Sequence, residues 1–283
     1  MARQGDHPSS LLLVIGGAYI LAQLYLGTVR ESSSQKAVSG PAVPPAYEVI
    51  TPDSNPFGHD SNGRSPLHLA AERGQTDLVE IYLRSGVSVD QTDRAGNTPL
   101  MYAAGAGREK SVQFLLSKGA IVDARNKGGR TPFLAALFGG HGKAADILSD
   151  AGADVKAVDG AGWTALHCAA ENGLDEWVKR LLILRLDPNA LRIQEWTPLH
   201  VATYKRHPKC VQYLLEAGAD PGLRMGYGHT AYDIANGRRS EELQRVFRKF
   251  REQPIRKPAW LYPPAEKGGL PPEAPPEPGH TSH

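Results

Sequence analysis

The stretch TALHCAAENG, residues 164–173, decides the fold, because five other stretches of the chain answer it in register. They are SPLHLAAERG (65–74), TPLMYAAGAG (98–107), TPFLAALFGG (131–140), TPLHVATYKR (197–206) and TAYDIANGRR (230–239). Their first residues, Ser65, Thr98, Thr131, Thr164, Thr197 and Thr230, follow one another at intervals of 33 without an insertion. Self-similarity at a fixed period fixes the architecture before any single motif is weighed.

Each stretch reads as a short helix. The Ser or Thr hydroxyl accepts from an unpaired first-turn N–H, and Pro66, Pro99, Pro132 and Pro198 stand at the first helical position, where a missing N–H costs nothing. The pairs Ala70/Ala71, Ala103/Ala104 and Ala169/Ala170 keep one face thin for close helix approach, and Gly74, Gly107, Gly140 and Gly173 end the helix. A second helix follows with apolar residues at helical spacing: LVEIYL (78–83), VQFLL (112–116), ADIL (145–148), WVKRLL (177–182), CVQYLL (210–215) and LQRVF (243–247). Gly86, Gly119, Gly152 and Gly218 stop it, and Asp93 to Gly96, Asn126 to Gly129 and Asp159 to Gly162 supply turn residues before the next cap.

T-P-L-H-x-A-A at a period of 33 resembles the ankyrin repeat, over residues 60–252. The resemblance implies an all-α ankyrin-repeat solenoid of six stacked helix-turn-helix units with projecting β-turn loops. One such unit cannot bury its own apolar face, so stability comes from the five interfaces between neighbours. The fifth unit departs from the pattern: Glu195 replaces the loop glycine, Arg206 the terminating glycine, and Arg185-Leu-Asp-Pro188 leads into it. In the sixth, Ala231, Asp233 and Asn236 replace Pro, His and the second Ala. Its last helix, over 238–257, has eight basic and three acidic residues. It reads as a solvated C-terminal cap, with contact to acidic lipid or an acidic partner as the alternative.

The adjacent His167 and Cys168 raise the question of nucleophilic chemistry. His68 and His200 occupy the same place as His167, three periods before and one after, and a residue type that recurs with the repeat is scaffold. The resemblance implies that this histidine hydrogen-bonds to the cap hydroxyl and to loop backbone. Cys168 takes the slot of Leu69, Tyr102, Ala135, Val201 and Ile234, and Cys210 that of Leu78 and Trp177, so both are expected as small buried hydrophobes. Neighbouring helix residues also point about 100° apart. The chain has no GxSxG, P-loop, HExxH or dinucleotide fingerprint, and His141, His207 and His229 lack metal-ligand spacing. The expectation is no enzyme, no cofactor, no metal and no small-molecule substrate.

Positions that vary inside the fixed frame carry the candidate site. In the ankyrin family partners dock on the concave face, built from loop tips and the outer side of the first helix. On that mapping the residues before each cap are Arg64, Asn97, Arg130, Trp163, Trp196 and His229, and the tips hold Arg94, Lys127, Ile193, Gln194 and Tyr227. Aromatics gather toward the C-terminal units, and Trp, Tyr and Arg dominate interface energetics. The candidate partner-binding residues are Arg94, Lys127, Arg130, Phe138, Trp163, Trp196, Tyr204 and Tyr227. The competing reading is that the Gly-Trp-Thr rings pack on the adjacent loop. No basic groove with stacking platforms for nucleic acid is evident.

The 283 residues carry a formal net charge of +2 and 41% hydrophobic content, so the chain is long enough for a buried core and has no global field pointing to a polyanion. Residues 11–26, LLLVIGGAYILAQLYL, form one apolar run, uncharged from Ser9 to Val29. At about 1.5 Å per residue it just crosses a hydrocarbon core about 30 Å thick. Residues 1–29 are therefore expected as a single-pass membrane anchor. A signal peptide cleaved near Ile20-Leu21-Ala22, giving a secreted or periplasmic protein, and a buried helix are the alternatives. Residues 30–59, rich in Ser, Pro and Gly, read as a flexible linker, in which Asn55-Pro-Phe57 is a weak adaptor-like match. Residues 253–283 read as a Pro-rich disordered tail, solubilising or a ligand for aromatic grooves. The resulting expectation is a membrane-tethered scaffold that binds a protein partner. A secreted binding module or effector, and a regulatory or stabilising subunit of an enzyme, are the rivals.

Overall fold

The computed structural model describes residues 57–252 and Leu261. Among them are helices and turns and no β-strand. The helices come in pairs: α1 (Pro66–Arg73) and α2 (Thr76–Arg84), α3 (Pro99–Gly105) and α4 (Glu109–Ser117), α5 (Pro132–Phe138) and α6 (Gly142–Asp150), α7 (Ala165–Glu171) and α8 (Asp175–Ile183), α9 (Pro198–Lys205) and α10 (Pro208–Glu216), α11 (Ala231–Gly237) and α12 (Glu241–Glu252). Each first helix packs on its own partner and on the first helices of the neighbouring pairs. The described residues form an all-α solenoid.

The caps form as the sequence requires. Thr98, Thr131, Thr164, Thr197 and Thr230 Oγ1 accept from the amides of Met101, Leu134, His167, His200 and Asp233 at 3.2–3.4 Å. In the last pair Asp233 does the work of the absent histidine: its Oδ2 accepts from the Thr230 amide and hydroxyl at 2.9 and 2.8 Å. At the other helix end Gly173 has φ +65, and a Cβ there would lie 2.5 Å from His207 Nδ1. That glycine is needed both for the left-handed turn and for the approach of the next pair.

A single core runs the length of the stack. Leu67, Leu100, Leu166 and Leu199 of the first helices are completely buried, as are Val79, Leu115, Leu148, Leu181 and Leu214 of the second. The projecting loops are stitched separately by a backbone ladder. The amides of Arg94, Lys127, Gly160, Ile193 and Gly226 donate to Asn62, Ala95, Gly128, Ala161 and Gln194 carbonyls at 2.7–3.0 Å. Each loop therefore holds the next at a fixed register.

The fifth pair keeps the geometry of its neighbours without their glycines. Gly96, Gly129, Gly162 and Gly228 have φ of +76 to +81, and Glu195, in register with them, has φ 58. Arg185 (φ 63) and Arg206 (φ 64) likewise adopt left-handed backbone at glycine positions of the other pairs, and Gln194 (φ 65) adds a second such residue to the loop. A side chain in this region costs about 1–2 kcal/mol, offset by the extra freedom glycine gives the unfolded chain, about 0.4–1 kcal/mol. Glu195→Gly is thus expected to stabilise by about 0.5–1 kcal/mol. The check is a higher denaturation midpoint at unchanged m-value; a lower midpoint would contradict it.

The last helix begins at Glu241 rather than at 238, because Arg239 (φ 49) turns the chain there. Leu243 and Phe247 anchor it while Arg245, Arg248, Lys249 and Arg251 lie on its exposed side. Leu261, expected in the extended tail, is 4% exposed and belongs to the core. The anchor segment 11–26, the linker up to residue 56 and the rest of 253–283 lie outside the described residues. No helix among the described residues is long and apolar enough to cross a membrane.

Candidate functional site

His167 and Cys168 are both fully buried and serve different neighbours. The Thr164 amide donates to His167 Nδ1 at 3.3 Å, which makes Nδ1 the acceptor and leaves Nε2–H to donate to the Trp196 carbonyl at 3.0 Å. His68 repeats the arrangement between Ser65 and the Asn97 carbonyl. His200 repeats only its first half, with Nδ1 2.8 Å from Thr197 Oγ1. Its Nε2 has no partner in hydrogen-bonding geometry among the described residues, although the His229 and Leu223 carbonyls offset part of the burial that lowers its pKa. Burial brings His167 down to about 4 and pushes the Cys168 thiol up to about 12, the opposite of a thiolate–imidazolium pair. Cys210 is buried, its pKa raised by burial and by Asp175, to whose Oδ1 its thiol donates at 3.1 Å. Among the described residues no group of His, Cys, Asp and Glu is placed to hold a metal.

The aromatic residues of the loop-and-first-helix face do come together, and arginines lie between them. Arg130 Cζ stands 4.4 Å over the Phe138 ring, and Phe138 meets Trp163 edge to face at 5.2 Å. Arg192 is sandwiched between Trp163 and Trp196, 4.5 and 5.0 Å from their ring centres. Trp196 meets Tyr204 edge to face at 5.4 Å, and Arg238 Cζ lies 3.6 Å over Tyr204. A stripe of alternating cations and rings therefore crosses from the third pair to the sixth. Beside its first members Gly105 and Gly139 leave a notch of about 230 Å³ between Tyr102 and Phe138.

The predicted residues divide by position. Arg130, Phe138, Trp163, Trp196 and Tyr204 are in the stripe. Phe138 and Tyr204 are open, at 38% and 41% exposure, whereas the two tryptophans are half-buried against the core. Each of these two rings rests on its neighbours, Trp163 on Phe138 and Trp196 on Tyr204, so its removal would disturb the frame. Tyr227, 67% exposed, accepts from Gln194 Nε2 at 3.2 Å and touches no other ring in the stripe. Arg94 and Lys127 are exposed at earlier loop tips, Arg94 donating to the Ser61 carbonyl at 2.6 Å.

Arg192 and Arg238 were not among the candidate partner-binding residues. A signal for Arg192 exists: it stands in register with Asp60, Asp93, Asn126 and Asp159. Those carboxylates and amide close their own loops, as when Asp159 Oδ1 accepts from Ala161 and Trp163 amides at 2.9 Å. Arginine cannot do this, and its side chain turns to the rings instead.

The family model described as "Ankyrin repeats (3 copies)" matches residues 46–126, 67–159 and 132–225. No curated protein matches the chain.

Proposed function

The chain belongs to the ankyrin-repeat family, a protein–protein interaction module, and from there we propose that it is a membrane-tethered scaffold capturing a protein partner on the loop-and-first-helix face of its third to sixth helix pairs. The sixth pair, beyond the last matched residue, closes the array. Residues 11–26 serve as the anchor and 30–59 as the spacer, so the captured partner is concentrated at a membrane.

The observation that carries the docking face is the cation–aromatic stripe. Its rings contribute large area at low entropy cost, and its open members, Phe138 and Tyr204, lie outside the buried core and the loop ladder that hold the stack. The informative variant uses the open rings rather than the packed tryptophans. Phe138→Ala with Tyr204→Ala is expected to weaken partner capture by the full chain at least tenfold while the circular dichroism and denaturation midpoint stay within the wild-type range. Ile81→Ala, at an exposed position of α2, should leave capture intact. Unchanged capture by the ring variant, or equal loss in both, would remove the docking face.

A further inference from the structure

We propose that the stripe receives an acidic, extended peptide segment of the partner, whose carboxylates pair with Arg192 and Arg238. This rests on the docking face proposed above and adds the chemistry of what docks there.

The argument is one of unmatched charge. Four cations line this part of the face: Arg130, Arg192, Lys205 and Arg238. The carboxylates nearest Arg192 are Asp159 and Glu171, and both are already engaged. Asp159 holds Arg130 at 3.0 Å and Glu171 holds Lys205 at 2.6 Å. Arg192 and Arg238 are held in place by ring faces instead. Arg192 Nε is buried with no acceptor among the described residues, and so is Trp196 Nε1 beside it. A guanidinium whose Nε is buried and whose nearest carboxylates are each paired with another cation gains from a further carboxylate edge-on to its planar N–H fork, through directional, charge-assisted bonds.

The ring faces point away from nucleic acid. Arg192 covers one face of both Trp163 and Trp196, and Phe138 and Tyr204 stand nearly at right angles to them, at 85° and 77°, so the stripe has no parallel row of open ring faces on which successive bases could stack. What the stripe still offers is N–H donors and ring edges, which suit carboxylates separated by apolar side chains. An extended peptide places alternate side chains on one face, which matches that need.

The test uses the full chain with three probes: a short peptide of alternating Glu and Leu, the same peptide with Gln for Glu, and oligothymidylate. Calorimetry and tryptophan fluorescence read binding at low and physiological salt. The Glu peptide is expected to bind at least tenfold more tightly than its Gln twin and to weaken as salt rises. The decisive variant is Arg192→Asp. It restores the loop-closing residue found at Asp60, Asp93 and Asp159, so the denaturation midpoint should hold or rise while affinity for the Glu peptide falls at least tenfold. Arg238→Gln, which leaves that loop untouched, should also weaken it. No binding of the Glu peptide, equal binding of its twin, unchanged affinity in Arg192→Asp, or preference for oligothymidylate would each overturn the proposal. If it falls while Phe138→Ala with Tyr204→Ala still abolishes partner capture, the docking face stands with a partner of different chemistry; if both fail, the face itself is excluded.

Discussion

Trp177→Ala is expected to cost the stack about 3–5 kcal/mol, the range for truncating a buried large aromatic. Trp177 is 5% exposed and starts from α8, yet its ring reaches into the preceding pair. Its ring meets Phe133 of α5 edge to face at 5.2 Å, and its Nε1–H donates to the Gly142 carbonyl at the head of α6 at 3.1 Å. Arg180 covers the same ring at 5.1 Å and pairs with Asp146 of α6. Across the second-helix row the indole fills the space that Gly142 leaves at the head of α6, with the Arg180–Asp146 pair beside it. Truncation opens a cavity and leaves a carbonyl without its donor. Because solenoid stability is a sum of units and nearest-neighbour interfaces, the damage should also uncouple the array. Denaturation is expected to separate into two transitions, pairs one to three and pairs four to six. Trp177→Leu, which places the residue found at Leu78 in that slot, should recover part of the loss. A single transition displaced by less than about 1 kcal/mol would show that the neighbours close the gap.

The frame of this protein was legible because the physics that repeats also writes repeating letters. A Thr hydroxyl, a Pro, a thin Ala face and a left-handed Gly each leave a fixed mark at the same offset, and the helices begin and end where those marks stand. The substitutions in the fifth pair were visible as exceptions, and the backbone there keeps its left-handed turn at Glu195 and Arg206 regardless, because both neighbours impose it. The face was only half legible. Aromatic residues announce themselves, but how deeply Trp163 and Trp196 sit depends on Arg192, which comes from the next loop and enters between them. The loop ladder left no mark at all, since backbone amides make it whatever their side chains.

The histidines that hold first helix to loop should make the stack acid-sensitive in a defined window. His167 is neutral in the fold because its Nδ1 must accept from the Thr164 amide and because burial, the dominant cause, lowers its pKa from 6.5 to about 4. The unfolded chain therefore takes up a proton that the folded one refuses as pH falls below 6.5, so stability declines from there to about pH 4 and this contribution then levels off. At about 1.4 kcal/mol per pKa unit the loss is about 3 kcal/mol for His167. His68 and His200, both lowered by burial, add to the same slope. Carboxylates act elsewhere: for Asp93 burial works upward, but bonds from Asn97, Tyr102 and loop amides bring its pKa below 3.8 overall, so its contribution is lost only at more acid pH. His167→Leu separates the effects, because Leu134 fills the equivalent place in the third pair. The variant should start less stable at pH 7, having lost the bond to Trp196, yet show a visibly flatter decline between 6.5 and 4. Parallel stability curves for the two proteins across that window would mean that His167 is not the group whose protonation opposes folding.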